Sequence, residues 1–554
     1  MNRSLSSCAY CWVILAFGSG CGEAPGPSEQ LVGAGALELQ ASGQGTLQAG
    51  PVQCSSLVAI LLGRMTLAEK VGQMLLVDNA ALSNPADVAG LALGGVLAGG
   101  TTDPPTGNDP RSWQARVAAM KQAALSSRLA IPILYGTDAV HGHSNVAGAT
   151  IFPHNIGLGA SGDAALVTDI ARATASEVAA TGIDWTFAPV VAAARDERWG
   201  RTYEAFSEAP TLAGALGKAS VLGFQTAGSD GRPTILACAK HFAGDGGTLG
   251  GVDQGDTVGL DSQLFPLHLE QYKQAIAANV KTVMVSFSSW NGQRMHTHHH
   301  MLTDVLKGQL GFQGIVVSDW AGYGATPVES VNAGIDMLMV PSDYLGVRSA
   351  LLGSVPQALP LTRVDDAVRR ILSVKCDAGA FGKPLPEPSA LVAVGSAEHR
   401  NLARRAVRES LVLLKNDGCV LPLPKTARLH VAGVAAQSLA QQCGGWTVGW
   451  QGLGDTTIPG TTILDAIRKA STGQVTYSAD GSGAKGADVA IAVIGEQPYA
   501  EFVGDDQDLS LSNADVAVLD RLNASGMPVV TILLSGRPMI IAPHLQKSEA
   551  WLAA

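Results

Sequence analysis

The feature that most restricts the fold is a series of eight short, continuously apolar segments separated by longer helix-like stretches. The first four are V-G-Q-M-L-L-V from Val71, G-G-V-L-A-G-G from Gly94, I-P-I-L-Y-G from Ile131 and I-D-W-T-F-A from Ile183. The others are I-L-A-C-A-K-H-F from Ile235, K-T-V-M-V-S-F from Lys281, G-I-V-V-S-D-W from Gly314 and G-I-D-M-L-M-V from Gly334. A strand without polar alternation is buried on both faces, the condition of a parallel sheet covered by helices. The intervening pattern predicts helices over Ala164–Thr181, Pro210–Gln225 and Gln263–Ala278. Eight strands alternating with helices predict an α/β protein with a (β/α)8 barrel over 56–383.

Beyond the barrel, K-P-L-P-E-P-S-A-L-V-A (383–393) is a Pro-rich interruption, and a linker is expected over 384–404. Glu398–Leu414 then reads as a helix with Arg404, Arg405 and Arg408 on its polar face. A second strand set follows: L-H-V-A-G-V from Leu429, V-T-Y-S from Val475, D-V-A-I-A-V-I-G from Asp488 and P-V-V-T-I-L-L-S-G from Pro528. These predict an open parallel α/β domain over 405–554, expected to be incomplete where the chain stops at S-E-A-W-L-A-A.

The N-terminus has a different character. Arg3 precedes the apolar stretch Ala9–Phe17, which is too short to cross a bilayer, so 1–21 reads as an export signal. Cys21, after Gly18-Ser19-Gly20, offers a bacterial lipoprotein site; the alternative is an ordinary signal peptide. Residues 22–55, rich in Gly, Ala, Ser and Pro, read as a flexible tether. The expected location is the periplasm, a tether at the outer membrane, or the medium around a bacterium.

Composition excludes several classes. Apolar residues make up 46% of the 554, which excludes wholesale disorder. A net charge of −10 without a long basic run argues against nucleic acid as a partner. The 65 glycines lack a collagen period and fit many tight turns instead. Outside the signal, Cys54, Cys238, Cys376, Cys419 and Cys443 contain no C-x-x-C pair, so no zinc site is expected. Export permits disulfides, with the pairing left open, and Cys238, inside an apolar strand, reads as a buried thiol.

In a parallel barrel, functional groups collect at the C-terminal ends of strands. Asp138, Lys240-His241 and Asp319 end such strands here, and Arg201 lies in a loop after the fourth. Asp319, beside Trp320, is the sharpest case, although an Asp there could also cap the next helix. The Gly244–Gly247 loop lacks phosphate-loop spacing; its glycines are expected to let backbone approach a ligand closely. A pocket of Lys, His, Arg and Asp beside Trp suits a sugar ring, with its many hydroxyls and its stacking faces.

Six ordered motifs carry a resemblance: Y-G-T-D-A-V-H-G (Tyr135–Gly142), W-G-R-T-Y-E-A-F-S-E (Trp199–Glu208), A-K-H-F-A-G-D-G-G (Ala239–Gly247), V-S-D-W (Val317–Trp320), G-G-W-T-V-G-W-Q-G (Gly444–Gly452) and G-E-Q-P-Y-A-E (Gly495–Glu501). Together they resemble glycoside hydrolase family 3, in its two-domain exo-β-glucanase and β-glucosidase form. The resemblance implies a barrel followed by an α/β sandwich, with the active site between them. It implies Asp319 as nucleophile, Glu501 as acid/base with Glu496 as its competitor, and Asp138, Arg201, Lys240 and His241 as ligands of the terminal glucosyl hydroxyls. Trp320 and Trp446 would clamp the next sugar. The implied activity is retaining, exo-acting hydrolysis of β-glucans and β-gluco-oligosaccharides, with no cofactor and no catalytic metal.

Arg201, Lys240 and His241 near Asp319 are expected to favour its charged form, and a neighbouring carboxylate and partial shielding to favour the neutral form of Glu501. Two positions depart from the plant relatives: Gln254 stands for their Glu and Phe287 for their Tyr. The cluster His296, His298, His299, His300 invites a metal reading, but it sits just before a helix rather than at a strand rim and is expected to be a solvated or helix-entry cluster. A β-N-acetylhexosaminidase of the same family would carry Asp-Ser-His after K-H-F, where this chain has G-V-D-Q-G-D-T (Gly251–Thr257). A non-catalytic surface carbohydrate-binding lipoprotein would require the loss of a catalytic carboxylate, and both are present.

Overall fold

A computed structural model of the chain describes residues 54–554, apart from 83, 229–230, 383–384 and 453–457. The expected signal, Cys21 and all but the last two residues of the expected tether lie outside the described residues.

All eight apolar segments contain a strand: β1 (Leu75–Asp78), β2 (Gly95–Ala98), β3 (Leu134–Thr137), β4 (Trp185–Thr186), β5 (Cys238–Phe242), β6 (Thr282–Val285), β7 (Ile315–Val317) and β8 (Leu338–Val340). Parallel pairing runs β8-β1-β2-β3-β4 in one sheet and β7-β6-β5 in another. Parallel bridges Trp185–Leu236 and Val317–Met337 join the two sheets at both seams, so the strands form a ring. Every residue of β1–β3 and β5–β8 is buried, as their unbroken apolar runs require.

The segment from Val71 is only half strand. Leu67–Gln73 is a helix, because Thr66 and Glu69 form a capping box that satisfies its first N–H groups. The expected helix at Gln263–Ala278 is two helices, Asp261–His268 and Glu270–Ala277, the first containing Pro266. Cys54 and Cys376 are joined by a disulfide that ties helix Cys54–Arg64 to helix Leu361–Asp377, and Cys238 is a buried thiol.

Helix Ala397–Ser410 packs Ala403 and Ala406 against Phe152, Leu158 and Leu166 of the barrel. It ends at Ser410 rather than Leu414, and Val412–Asn416 is instead a strand, β9. The second domain's sheet contains β9, β10 (Leu429–Ala432), β11 (Val475–Ser478), β12 (Val489–Gly495), β13 (Val529–Leu534) and β14 (Ala550–Ala553), in the order β9-β14-β13-β12-β10-β11. Five strands are parallel, and β9 pairs antiparallel with β14 at one edge. Apolar clusters cover both faces, one centred on Val431, Ile491 and Val493, the other on Leu519, Leu522 and Trp551. The layer arrangement is an α/β sandwich.

Candidate active site

Asp138, Lys240, His241 and Asp319 lie at the C-terminal end of the barrel, where short, fully buried strands hold them rigidly. Lys240 Nζ donates to Asp138 Oδ1 at 3.2 Å and lies 5.7 Å from the centroid of the Trp446 ring. His241 Nε2 is 3.8 Å from Asp319 Oδ2, while its Nδ1 sits 2.8 Å from Asp245 Oδ2. Asp319 Oδ1 accepts the Trp320 N–H at 2.7 Å, and the Asp319 N–H donates to His296 Nε2 at 3.0 Å.

Arg201 is the centre of the arrangement. Its Nε and Nη2 donate to the two carboxylate oxygens of buried Glu204 at 2.9 and 3.0 Å. Its Nη1 donates to Glu501 Oε1 at 3.1 Å, so a barrel loop and a second-domain loop share one guanidinium. Glu501 adopts φ +55°, a conformation unusual for a residue with a side chain. Trp446, at φ +57°, donates its indole N–H to Glu204 Oε1 at 3.1 Å. Its loop is docked on the barrel: the Val448 N–H donates to the Ser144 carbonyl at 2.7 Å, and His141 and His154 contact the carbonyls of Trp446 and Gly445 at 3.1 Å each.

Trp320 is 39% exposed and Trp446 6%, so the first aromatic face is open and the second lines the wall. The Gly99-Gly100 turn runs between them. A Cβ on Gly99 would come within 2.9 Å of the Trp320 ring, and one on Gly100 within 3.1 Å of the Trp446 ring. Asp78, at the end of β1, accepts from Thr102 Oγ1 at 3.2 Å and from the Gly99 N–H at 3.4 Å, fixing that turn.

Burial raises both carboxyl groups. Burial raises Asp319 to about 6 against the pull of Arg201 and Lys240. Burial also raises Glu501, to about 7, with Arg201 opposing and the charges of Asp319, Glu204 and Asp253 adding to the rise. Arg201 and Lys240 favour the charged form of Asp319, as expected, but desolvation outweighs them and the net shift is upward. His241 supplies no charge, because burial, Arg201 and Lys240 push its pKa well below the usual range.

Glu496 lies elsewhere. Its carboxylate pairs with Arg537 at 3.1 Å and accepts from the Tyr499 hydroxyl at 3.0 Å and the Gly536 N–H at 2.9 Å. The histidine cluster divides: His299 and His300 are exposed, but His296 is buried against Asp319 and held neutral, its pKa pushed down to about 3 by burial. Gln254 is exposed and Phe287 half-buried, its ring 5.6 Å from that of His296. The Gly244–Gly247 loop packs on protein: a Cβ on Gly246 would lie 2.2 Å from the Ala193 carbonyl oxygen, and one on Gly247 2.4 Å from the His268 ring.

Sequence reasoning missed Glu204, Asp78, His296 and Asp505. Only Glu204 carried a local signal, its i, i+3 spacing from Arg201. Asp505 accepts the N–H groups of Gly200 and Asp253, each at 2.8 Å, and so pins two barrel loops from the second domain.

Residues 66–374 match the Glycosyl hydrolase family 3 N terminal domain, and residues 411–554 match the family's C-terminal domain. The lysosomal beta glucosidase of Dictyostelium discoideum is 33% identical over 554 residues, covering 88% of this chain and 67% of that protein. The periplasmic beta-glucosidase of Salmonella typhimurium is 31% identical, covering 91% of this chain and 70% of that protein. The crystal structure of the exo-1,3/1,4-beta-glucanase of a Pseudoalteromonas species superposes with a TM-score of 0.88 at 43% identity, over 92% of this chain and 67% of that one. With both domains matched in order and the barrel rim carrying the family's motifs, this chain is a member of glycosyl hydrolase family 3.

Proposed function

We propose that the protein is a retaining, exo-acting β-glucosidase or exo-β-glucanase that removes the non-reducing terminal β-D-glucosyl residue of β-glucans and their oligosaccharides. One observation carries the reading: a barrel carboxyl, Asp319, and a second-domain carboxyl, Glu501, both buried, act on each other's charge and share the field of Arg201, which pairs with Glu501 at 3.1 Å. Double displacement needs one ionised and one protonated carboxyl. Ionised Asp319 attacks the anomeric carbon as Glu501 gives its proton to the glycosidic oxygen. Glu501 then takes a proton from water, whose oxygen attacks the same carbon and releases Asp319. Asp138, Arg201, Lys240 and His241 bind the hydroxyls of the terminal sugar, and Trp320 and Trp446 stack on the next. The names of the relatives, beta-glucosidases and an exo-1,3/1,4-beta-glucanase, support this substrate class.

Export follows from the N-terminal sequence and is supported by a relative described as periplasmic. A lipid on Cys21 would keep the enzyme at a membrane surface, and mass spectrometry of the mature N-terminus distinguishes it from signal cleavage alone.

The test is purified protein on cellobiose, laminaribiose and p-nitrophenyl β-glucoside, with NMR of the first-formed sugar. The reading requires glucose released first as the β-anomer. The α-anomer, or cleavage of aryl N-acetylglucosaminides in preference to glucosides, contradicts it.

A further inference from the structure

We propose that Arg537 is a positioning residue for the proton-transfer step: it clamps the turn that carries Glu501 against the barrel loop that carries Arg201, without itself reaching the sugar. The inference rests on the acid/base role proposed for Glu501.

Arg537 follows β13, and its side chain is 1% exposed. Its Nε donates to the Tyr499 hydroxyl at 2.8 Å, and its Nη2 donates to the Gly504 carbonyl. These two residues bracket the turn at whose centre Glu501 sits. Its Nη1 donates to the carbonyls of Glu197 and Arg198 at 3.3 and 3.2 Å, in the loop that runs directly into Arg201. One planar fork therefore touches both segments whose side chains meet in the Arg201–Glu501 pair. The contact is close: a Cβ on Gly200 would lie 2.1 Å from the Glu501 carbonyl oxygen.

Glu496 fixes the fork from behind, pairing with it at 3.1 Å while accepting from Tyr499 and Gly536. The guanidinium also stacks on Tyr499, its Cζ 4.6 Å from the ring centroid. A lysine ammonium is a single point and cannot span the separate acceptors that a rigid guanidinium reaches. The left-handed backbone at Glu501 is held by its surroundings rather than by its own preference, so the clamp bears directly on where the carboxyl points. A shift of the reacting group by about 1 Å costs about 100-fold in rate.

The experiment measures kcat/KM of Arg537→Lys, Glu496→Gln and Glu501→Ala on aryl β-glucosides ranging from 2,4-dinitrophenyl, which needs little protonation, to phenyl. Arg537→Lys should fall about 100-fold on the phenyl glucoside, within the range that general acid catalysis supplies, and less than about threefold on the dinitrophenyl glucoside. Glu496→Gln should show the same trend more weakly, and serves alone if Arg537→Lys does not fold. A loss equal across leaving groups, tracking a lowered unfolding midpoint, or no loss at all, overturns the proposal. Glu501→Ala separates the two readings. If it loses activity equally across the series, the acid/base assignment fails; if only Glu501→Ala shows the leaving-group trend, only the role of Arg537 fails.

Discussion

Arg201 and Glu501 form a 3.1 Å ion pair across the domain seam, and the same guanidinium holds buried Glu204 through two further bonds. The cation that a glycosidase would use to bind sugar hydroxyls thus also sets the orientation and proton affinity of the group proposed as acid. On the proposed assignment, catalytic competence depends on the docking of two domains.

Glu204 makes that docking costly to disturb. Its side chain is 1% exposed, and it accepts from Arg201 and from the Trp446 indole. Glu204→Ala leaves a buried guanidinium half-paired, and urea unfolding should show a loss of about 3–5 kcal/mol. Because Trp446 loses its anchor as well, KM for laminaribiose should rise in the folded fraction.

Activity should follow a narrow bell in pH. The proposed mechanism needs Asp319 ionised, so kcat/KM should fall as pH drops through about 6. It needs Glu501 protonated, so kcat/KM falls again as pH rises through about 7. The pair titrates together, and the two limbs belong to the dyad. Asp319→Asn removes a charge that raises Glu501, so the Glu501 carboxyl, followed by infrared spectroscopy, should titrate lower than in the native enzyme.

The Gly99-Gly100 turn keeps two aromatic faces apart. Gly99→Val should drive the exposed Trp320 ring from its place, since even a Cβ there meets it at 2.9 Å. KM for disaccharides should rise several-fold while hydrolysis of p-nitrophenyl β-glucoside changes little, because stacking acts on the leaving sugar. Equal effects on both substrates would place Trp320 outside the second sugar's site.

The Cys54–Cys376 disulfide links residues 322 positions apart in the chain. Its reduction should lower unfolding free energy by about 2–4 kcal/mol, mainly by releasing the unfolded chain. It lies on helices outside the ring, so activity at room temperature should be retained.

The barrel is legible in the sequence because each of its strands is an unbroken apolar run, and burial on both faces leaves few other folds. Asp138, Lys240, His241 and Asp319 are legible for a related reason: they are the polar residues at which those runs end. What escapes depends on partners distant in sequence. Val412–Asn416 becomes strand only by pairing with Ala550–Ala553 at the far end of the domain, overriding a helical pattern. Asp505, Arg537 and His296 gain meaning from loops that meet only when the chain closes. The sign of the Asp319 shift escapes because neighbouring cations can be inferred from motifs, whereas desolvation follows from depth in the pocket. The capping box at Thr66 and Glu69 is present in the sequence and is the signal that splits the Val71 segment.

Mechanism-based trapping tests the central claim most directly, because it reports on the nucleophile as a covalent bond. The enzyme is incubated with 2,4-dinitrophenyl 2-deoxy-2-fluoro-β-glucoside, digested with pepsin, and its peptides are mapped by mass spectrometry. The fluorosugar should be found on the peptide containing Asp319, with Glu501→Ala enzyme labelled at the same residue. Label on Glu501, Glu496 or another carboxylate, or turnover by Asp319→Ala enzyme, would contradict the account.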